Sequence, residues 1–304
     1  MQTTNFQDLR EKVKKGPNTK IVIAMADEEE VLLADKAAKE GLAEFILIGD
    51  KQRIRELCTK HSLLFDDLEV IHETNHQKAA AAAMKMIKNQ QADIPMKGLL
   101  HTSEFMRAVL DKEDGFERIS RISQVTIFQD HSNRLRFLTD CAINIDQPLA
   151  VKKDIVENAV LLSHLLGNPC PKVALLSAVE TVNEKMPDTT LGAIMTQMNQ
   201  RGQIKDCIVD GPLSLDNAIS KEAADIKGIR SSVAGAADIL VGSSLQEANT
   251  LSKSLNFYAN FETASVLLGT KRPFIMTSRT DTLQNKVNSI AATCWIFNQQ
   301  TDFL

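Results

Sequence analysis

The sequence of 304 residues has no long run of apolar residues and few aromatic side chains, with 12 Phe, one Tyr and one Trp. A helix needs about 20 mostly apolar residues to cross a bilayer, so we expect no insertion into membranes. Residues 1–20 are polar and mixed in charge, unlike the apolar stretch of a signal peptide. We therefore expect a cytoplasmic protein.

Cysteine and basic residues are also limited. No two of the five cysteines form a CxxC pair, which favours reduced thiols over disulfides or a zinc cluster. The 35 basic residues do not outnumber the 39 acidic ones, and no stripe dense in Lys and Arg breaks this balance. A nucleic-acid partner is therefore not expected. A small anionic ligand would need local cations.

The usual nucleotide and hydrolase motifs are missing as well. No G-x-x-x-x-G-K-[ST] loop, no strand followed by G-x-G-x-x-G and no G-x-S-x-G elbow occurs in the chain. Residues 72–76 match the zinc motif H-E-x-x-H, but His72 directly follows a predicted strand, and Thr74 or Asn75 resembles a helix cap. We interpret this match as chance and predict no metal site.

Short apolar runs alternate with segments of helical periodicity along nearly the whole chain, a pattern typical of βαβ units. The apolar share of 43% fits a globular protein, and the length favours two domains. Predicted strands span 21–26, 45–48, 68–71, 124–128, 172–176, 207–209, 239–241, 265–268 and 273–276. Predicted helices span 28–40, 77–89, 103–110, 152–166, 190–201, 245–260 and 281–297, with Asp154, Thr189, Ser244 and Asp281 as candidate caps.

Polar residues follow the predicted strands at three places, where α/β enzymes place their chemistry. At the first, Lys97 and Gly98 precede Thr102 and Ser103, which open a helix. A lysine charge and free helix N–H groups can hold a phosphate. A capped helix with a solvated lysine is an equally good interpretation.

The second place is Asp210-Gly211-Pro212, which favours a tight turn at the end of a strand and is also able to line a cleft. At the third, Ser278, Arg279 and Asp281 follow a predicted strand. Arginine binds phosphate in a bidentate manner, and serine can donate to sulfur or oxygen. Asp281 caps the next helix or takes part in proton transfer.

Together these sequence segments resemble those of the phosphate acetyl/butyryltransferase family, and of its butyryl or branched-chain acyl branch in particular. The resemblance rests on Met96-Lys97-Gly98, residues 176–180 with 185–187, residues 201–205, 207–212 and 233–240, and Thr277-Ser278-Arg279. It implies a two-domain α/β fold similar to the isocitrate and isopropylmalate dehydrogenases, with an interdomain cleft and a homodimer. It also implies the reaction of an acyl-CoA with phosphate to give an acyl phosphate and CoA, in a direct ternary complex with no bound cofactor or metal. We assign residues 1–130 with 268–304 to the first domain and 131–267 to the second.

The resemblance also implies roles for single residues. Ser278 would hydrogen-bond the thioester sulfur, and Arg279 would hold phosphate and stabilise the charge of the tetrahedral intermediate. The acetyl-transferring relatives carry an acid about two turns after this serine, where this chain reads Gln284 and Asn285. An amide cannot act as a base, so Asp281, a residue across the cleft, or no base at all would serve.

A second departure concerns the strand that ends at residue 241. The family usually has Pro-Asn or Pro-Asp after it, whereas this chain has Gly242-Ser243-Ser244, with Asn249 and Lys253 still matching. The predicted substrate-binding residues are therefore Lys97, Gly98, Thr102, Ser103, Asp210, Gly211, Asn249 and Lys253.

Other functions stay open. A noncatalytic CoA- or metabolite-binding protein and a phosphate acetyltransferase are the alternatives. An NAD-dependent decarboxylating dehydrogenase would share the implied fold but needs metal-binding aspartates and a nucleotide loop, and neither string is present.

Overall fold

The computed structural model describes residues 2–65 and 68–299. The chain divides into two compact units. The first unit contains residues 6–119 and 264–299, and the second contains residues 2–5 and 120–263. The limits between units thus lie at 5/6, 119/120 and 263/264. The domain assignment from sequence placed them at 130/131 and 267/268, and that assignment stays a prediction.

Helices and strands alternate through the described residues. The elements up to residue 109 are α1 (Phe6–Lys14), β1 (Lys20–Ala24), α2 (Glu28–Lys39), β2 (Glu44–Gly49), α3 (Lys51–Lys60), β3 (Glu69–His72), α4 (His76–Lys88), β4 (Ile94–Lys97) and α5 (Thr102–Val109). They are followed by β5 (Arg118–Gln129), β6 (Leu135–Thr139), α6 (Leu149–Leu165), β7 (Lys172–Leu176), α7 (Pro187–Gln200), β8 (Ile208–Leu213), α8 (Leu215–Ile219), α9 (Lys221–Ile226), β9 (Ile239–Val241), α10 (Leu245–Phe257), β10 (Thr263–Thr270) and α11 (Leu283–Gln299).

The first unit is built on a parallel sheet with the strand order β3-β2-β1-β4. From Ile21 to Ala24 the β1 residues are fully buried, as expected of a strand with helices on both faces. The predicted strand 273–276 makes a single parallel bridge, between Ile275 and Met96 of β4. Two hydrogen bonds hold it there, from the Ile275 amide to the Pro95 carbonyl (3.0 Å) and from the Lys97 amide to the Ile275 carbonyl (2.9 Å).

In the second unit the strands lie in the order β5-β6-β9-β7-β8. The pair β5–β6 is antiparallel, and the other pairs are parallel. Phe128, Leu138, Ala174, Leu213 and Leu240 belong to one buried apolar cluster on this sheet. Parallel pairing places the carboxyl ends of β6, β9, β7 and β8 at one edge of the sheet.

The turn expected at Asp210-Gly211-Pro212 is wrong, whereas the helix cap expected at Thr74 or Asn75 is confirmed. Asp210-Gly211-Pro212 lies within the strand β8, not in a turn after it, because β8 is the edge strand and its pairing with β7 contains a register shift. Proline is tolerated at such an edge. The two histidines of the H-E-x-x-H match do not share a helix, since His72 ends β3 and His76 begins α4, with Asn75 as the cap.

Over the described ranges, none of the helices combines the length and the apolar character needed to cross a membrane.

Candidate active site

Three segments of the first unit reach the carboxyl edge of its sheet. The chain passes from β1 into α2, from β4 into α5, and from 273–276 into α11. Because Ile275 is bridged in parallel to Met96, the residues after it lie at the same edge as Lys97. Ligands of open parallel sheets bind at this edge.

Lys97 is a buried cation at this edge, with 8% of its surface exposed. Its Nζ donates to the carbonyls of Gly98 (3.2 Å) and Leu100 (3.3 Å). Burial lowers the pKa of this amine, and the nearby positive charge of Arg279 lowers it further. The two cations predicted to hold phosphate are therefore close enough to interact.

Gly98 lets the chain turn tightly after Lys97. Its amide donates to the carbonyl of Ala24 (2.9 Å), and the amide of Leu99 donates to that of Met25 (2.7 Å). A Cβ at Gly98 would lie 2.3 Å from the Met25 carbonyl oxygen. Glycine is thus required here by close approach to the backbone.

The Ser278–Asp281 turn is closed by its own residues. The Asp281 carboxylate accepts from the Ser278 amide (2.9 Å), and the Asp281 amide donates to the Ser278 carbonyl (3.1 Å). The hydroxyls of Ser278 and Thr280 are 3.0 Å apart. Within residues 2–65 and 68–299, the guanidinium of the exposed Arg279 makes no hydrogen bond or ion pair, so it is available to an anion.

Asp281 was expected to cap the following helix. Helix α11 instead begins at Leu283, and the hydroxyl of Thr282 accepts from the amide of Asn285 (3.2 Å). Thr282 therefore caps the first turn through this contact, and the carboxylate of Asp281 fixes the turn that carries Ser278.

Thr102 and Ser103 are exposed at the start of α5. The Glu104 carboxylate accepts from the amide of the cap residue His101 (3.2 Å) and lies 3.4 Å from the His76 ring. The hydrogen bond from His101 is the main reason that the pKa of Glu104 is lowered. These contacts stabilise the helix start and leave the two hydroxyl residues at the surface.

The four predicted residues of the second unit make mostly local contacts. Asp210 accepts from the amide of Gly211 (2.9 Å), and the Asn249 amide group donates to the carbonyl of Cys141 (2.9 Å). The Lys253 ammonium lies 5.9 Å from the ring centre of Phe257. Asn249 thus fastens α10 to the loop after β6.

Sequence reasoning missed two buried lysines. Lys286 in α11 is paired with Glu29 of α2 in the first unit. Lys152 in α6 is 2% exposed and donates to the carbonyls of Gly242 (2.7 Å) and Ser243 (3.2 Å) in the second unit. Nothing in the sequence distinguishes these lysines from solvated ones, because burial depends on tertiary packing.

Lys152 lines a small cavity with Asp188, Ser243 and apolar residues of β7, α7 and β9; its free volume of about 10 Å³ is room for roughly one water. No group of three His, Cys, Asp or Glu residues in the described part of the chain is placed to hold a metal ion.

Comparison with known proteins identifies relatives over nearly the full length. Residues 67–294 match the family model described as phosphate acetyl/butaryl transferase. The chain is 42% identical over 289 residues to the phosphate butyryltransferase of Clostridium beijerinckii, covering 94% of this chain and 96% of that protein. It is 40% identical over 279 residues to the phosphate acetyltransferase of Rhizobium meliloti, covering 91% and 88%.

Solved structures agree with this relationship. A branched-chain phosphotransacylase from Enterococcus faecalis superposes with a TM-score of 0.82 at 30% identity, covering 92% of this chain and 99% of that one. A 4-hydroxythreonine-4-phosphate dehydrogenase from Klebsiella pneumoniae shares the fold at a TM-score of 0.54 and 12% identity, covering 93% and 100%. The predicted α/β fold, two-domain and dehydrogenase-like, is confirmed. The chain belongs to the phosphate acetyl/butaryl transferase family.

Proposed function

We propose that this protein exchanges CoA for phosphate on a short or branched-chain acyl group, converting acyl-CoA and phosphate into acyl phosphate and CoA. One observation of the site supports this most directly. Buried Lys97 and exposed Arg279 lie near each other at the carboxyl edge of a parallel sheet, next to the hydroxyl of Ser278, in a chain of this family.

In the proposed mechanism, Arg279 and Lys97 hold phosphate while Gly98, Thr102 and Ser103 complete its surroundings. A phosphate oxygen attacks the acyl carbon, a C–O bond forms, and the electron pair of the C–S bond leaves with the CoA sulfur. Ser278 donates to that sulfur, and Arg279 stabilises the negative charge of the tetrahedral intermediate. Holding both substrates together removes much of the entropic barrier.

Asp281 is our candidate for the proton transfer. Its carboxylate already fixes the Ser278 amide, so it lies beside the residue that would contact sulfur. In the direction that forms acyl-CoA it would take the proton of the CoA thiol. Asn285 is an amide and cannot replace it.

We further propose a direct transfer without an acyl-enzyme intermediate, with CoA and phosphate as substrates and no bound cofactor. Four of the five cysteines are buried. Burial raises the pKa of Cys141, Cys207 and Cys294 to about 12, so their thiolates are scarce near neutral pH. Intersecting initial-rate plots would support direct transfer, whereas parallel plots would contradict it.

Asp210, Gly211, Asn249 and Lys253 stay proposed substrate-binding positions of the second unit. The contact of Asn249 with the Cys141 carbonyl favours an indirect role, in which it shapes the loop after β6. We also infer a cytoplasmic location, because all five cysteines are free thiols.

We propose that the protein is a homodimer. A cavity of about 270 Å³ in the second unit is lined mostly by apolar side chains of α8, α10 and neighbouring segments, among them Leu215, Ile219, Leu251 and Leu255. Ile219 is 50% exposed. An exposed apolar groove of this kind suits an interface with a second copy.

The first test is thiol release from a panel of acyl-CoAs, acetyl to isovaleryl, with and without phosphate. We expect phosphate-dependent release that is fastest with four- or five-carbon acyl groups. Arg279→Ala should lower kcat/KM for phosphate by about 100- to 1,000-fold, because a charge-stabilising donor is lost. Arg118→Ala removes another exposed arginine of the first unit and should leave the rate unchanged.

Each other outcome of this test has a defined meaning. Fastest release from acetyl-CoA would favour the phosphate acetyltransferase alternative, to which the relative from Rhizobium meliloti points. CoA binding in calorimetry without any turnover would favour the noncatalytic alternative. An equal rate of thiol release with and without phosphate would exclude the proposed reaction.

A further inference from the structure

Lys286 is a lysine buried inside the helix α11 of the first unit. Its side chain is 3% exposed, and its Nζ is paired with the Oε1 of Glu29, whose side chain is 42% exposed. Lysine is rarely buried unless it is paired. Glu29 lies in the first turn of α2 and Lys286 in the first turns of α11, so this ion pair joins the starts of two helices at the sheet edge.

The pair lies within a larger group of charges around Lys97. Arg279 and Lys286 add positive charge near this lysine, and Glu29 and Glu30 add negative charge. Glu30 accepts from the amide of Asp27 (3.1 Å), and burial raises the pKa of its carboxyl. The charge of Lys97 is thus influenced by two other cations and two acidic side chains, and one cation and one acid among them form the Lys286–Glu29 ion pair.

Lys286 is also close in the chain to the Ser278–Asp281 turn. Its amide donates to the carbonyl of Thr282 (3.1 Å), the residue whose hydroxyl caps α11. A shift of Lys286 relative to α2 would therefore move the start of α11 and the turn that precedes it.

We propose that Lys286, anchored by Glu29, is a positioning residue that fixes Arg279 and Lys97 relative to each other and tunes the positive charge available to phosphate. This inference rests on the proposed function, because it concerns the same phosphate site. Lys286 does not need to touch the substrate. It acts through the geometry of the turn and through its charge on Lys97.

The two partners of the ion pair should have opposite electrostatic effects. Removing the positive charge of Lys286 should raise the pKa of Lys97, and removing the negative charge of Glu29 should lower it. The charges of Arg279 and Glu30 also act on Lys97, and both side chains are present in each variant. If protonated Lys97 holds phosphate, the basic limb of kcat/KM for phosphate moves up in pH in Lys286→Met and down in Glu29→Gln.

The experiment compares the full-length wild type with Lys286→Met, Lys286→Arg and Glu29→Gln across pH, using phosphate and the best acyl-CoA. We expect Lys286→Met to lower kcat/KM for phosphate by about 10- to 100-fold, as for a reacting group misplaced by about 1 Å. Lys286→Arg keeps the positive charge and should retain most of the wild-type kcat/KM for phosphate. Lys60→Met removes one partner of the neighbouring Glu28 carboxylate (Nζ to Oε1, 2.5 Å), which keeps its contact with His61 (2.7 Å). This variant is the control and should behave like wild type.

The inference would be overturned if the basic limb shifted in the same direction in Lys286→Met and Glu29→Gln, or did not shift in either. A purely structural ion pair would give one of these results, because its loss affects both variants alike. If Lys286→Met does not fold, Glu29→Gln alone decides, and an unshifted basic limb in that variant overturns the inference. Wild type without phosphate-dependent activity would instead refute the proposed function. An active wild type with indistinguishable variants would refute only the inference.

Discussion

At the residue scale, Gly98 shows how the backbone positions the phosphate-binding lysine. The Cβ of an alanine there would lie 2.3 Å from the carbonyl oxygen of Met25 and 2.7 Å from that of Ala24, both backbone atoms of the β1 end. The chain can relieve such an overlap only by moving the end of β4 away from β1. Lys97, which immediately precedes Gly98, would move with it.

We therefore predict that Gly98→Ala destabilises the protein by about 1–3 kcal/mol, the usual cost of overpacking. It should also lower kcat/KM for phosphate by at least about 10-fold, because Lys97 is misplaced. Urea unfolding and the thiol assay measure the two effects. Gly202→Ala is the control for the activity measurement. Its Cβ meets nothing within 4 Å, so the positive φ is the only source of strain, and kcat/KM for phosphate should stay at the wild-type value. Full activity of Gly98→Ala would show that the position of Lys97 does not matter.

The sequence predicts some of the candidate site residues and not others. Lys97, Ser278 and Arg279 could be predicted because they stand at the ends of short apolar segments, where a polar residue stands out. Lys286 and Lys152 could not, because a lysine inside a helix gives the same pattern whether it is buried or solvated. Their partners, Glu29 and the Gly242 carbonyl, are distant in sequence and only tertiary structure places them together.

At the element scale, Lys152 joins the helix α6 to the Gly242-Ser243 turn after β9. Burial is the main reason that the pKa of Lys152 is lowered from 10.5 to about 8, although Glu247 and Asp140 act in the opposite direction. Below pH 8 the folded protein holds a charged, desolvated lysine. Between pH 8 and 10.5 the unfolded chain binds this proton and the folded chain does not, so folding becomes more favourable as pH rises.

We predict that the free energy of unfolding of wild type, measured relative to Lys152→Met, increases by on the order of 2 kcal/mol from pH 8 to pH 10. Urea titrations at several pH values measure this difference. Lys153→Met is the matched control, because the adjacent Lys153 is partly exposed and paired with Glu157 (2.6 Å). The control should show no such dependence on pH. A constant difference for Lys152→Met would mean that Lys152 keeps its proton throughout this range.

Helices and strands differ in how well the sequence predicted them. The alternating pattern located most strands of both sheets, and Ser244 caps α10 as expected, with its hydroxyl accepting from the Glu247 amide (3.2 Å). Strand β6 was missed because Arg136 interrupts its apolar run, and this arginine pairs with Asp130 (2.9 Å). Helix α7 begins at Pro187, two residues before the predicted cap Thr189, whose hydroxyl donates to the Met186 carbonyl (2.7 Å) instead.

At the scale of the whole molecule, the proposed dimer depends on the apolar groove of the second unit. We predict that wild type sediments at about twice the chain mass of 33.6 kDa. Ile219→Glu places a charge on an exposed apolar residue of α8, so it should weaken the interface without unfolding the chain. Analytical ultracentrifugation over a range of concentrations should then show a monomer at concentrations where wild type is a dimer.

The control for this prediction is Ile145→Glu, because Ile145 is 72% exposed in the same unit but does not line the groove. It should sediment like wild type. A wild type that is monomeric at every concentration would refute the dimer, and an Ile219→Glu dimer as strong as wild type would place the interface elsewhere. If Ile219→Glu is monomeric and still releases thiol at the wild-type rate, a single chain contains every residue that the reaction needs. If the monomer is inactive but folded, association is required to hold the catalytic residues in place.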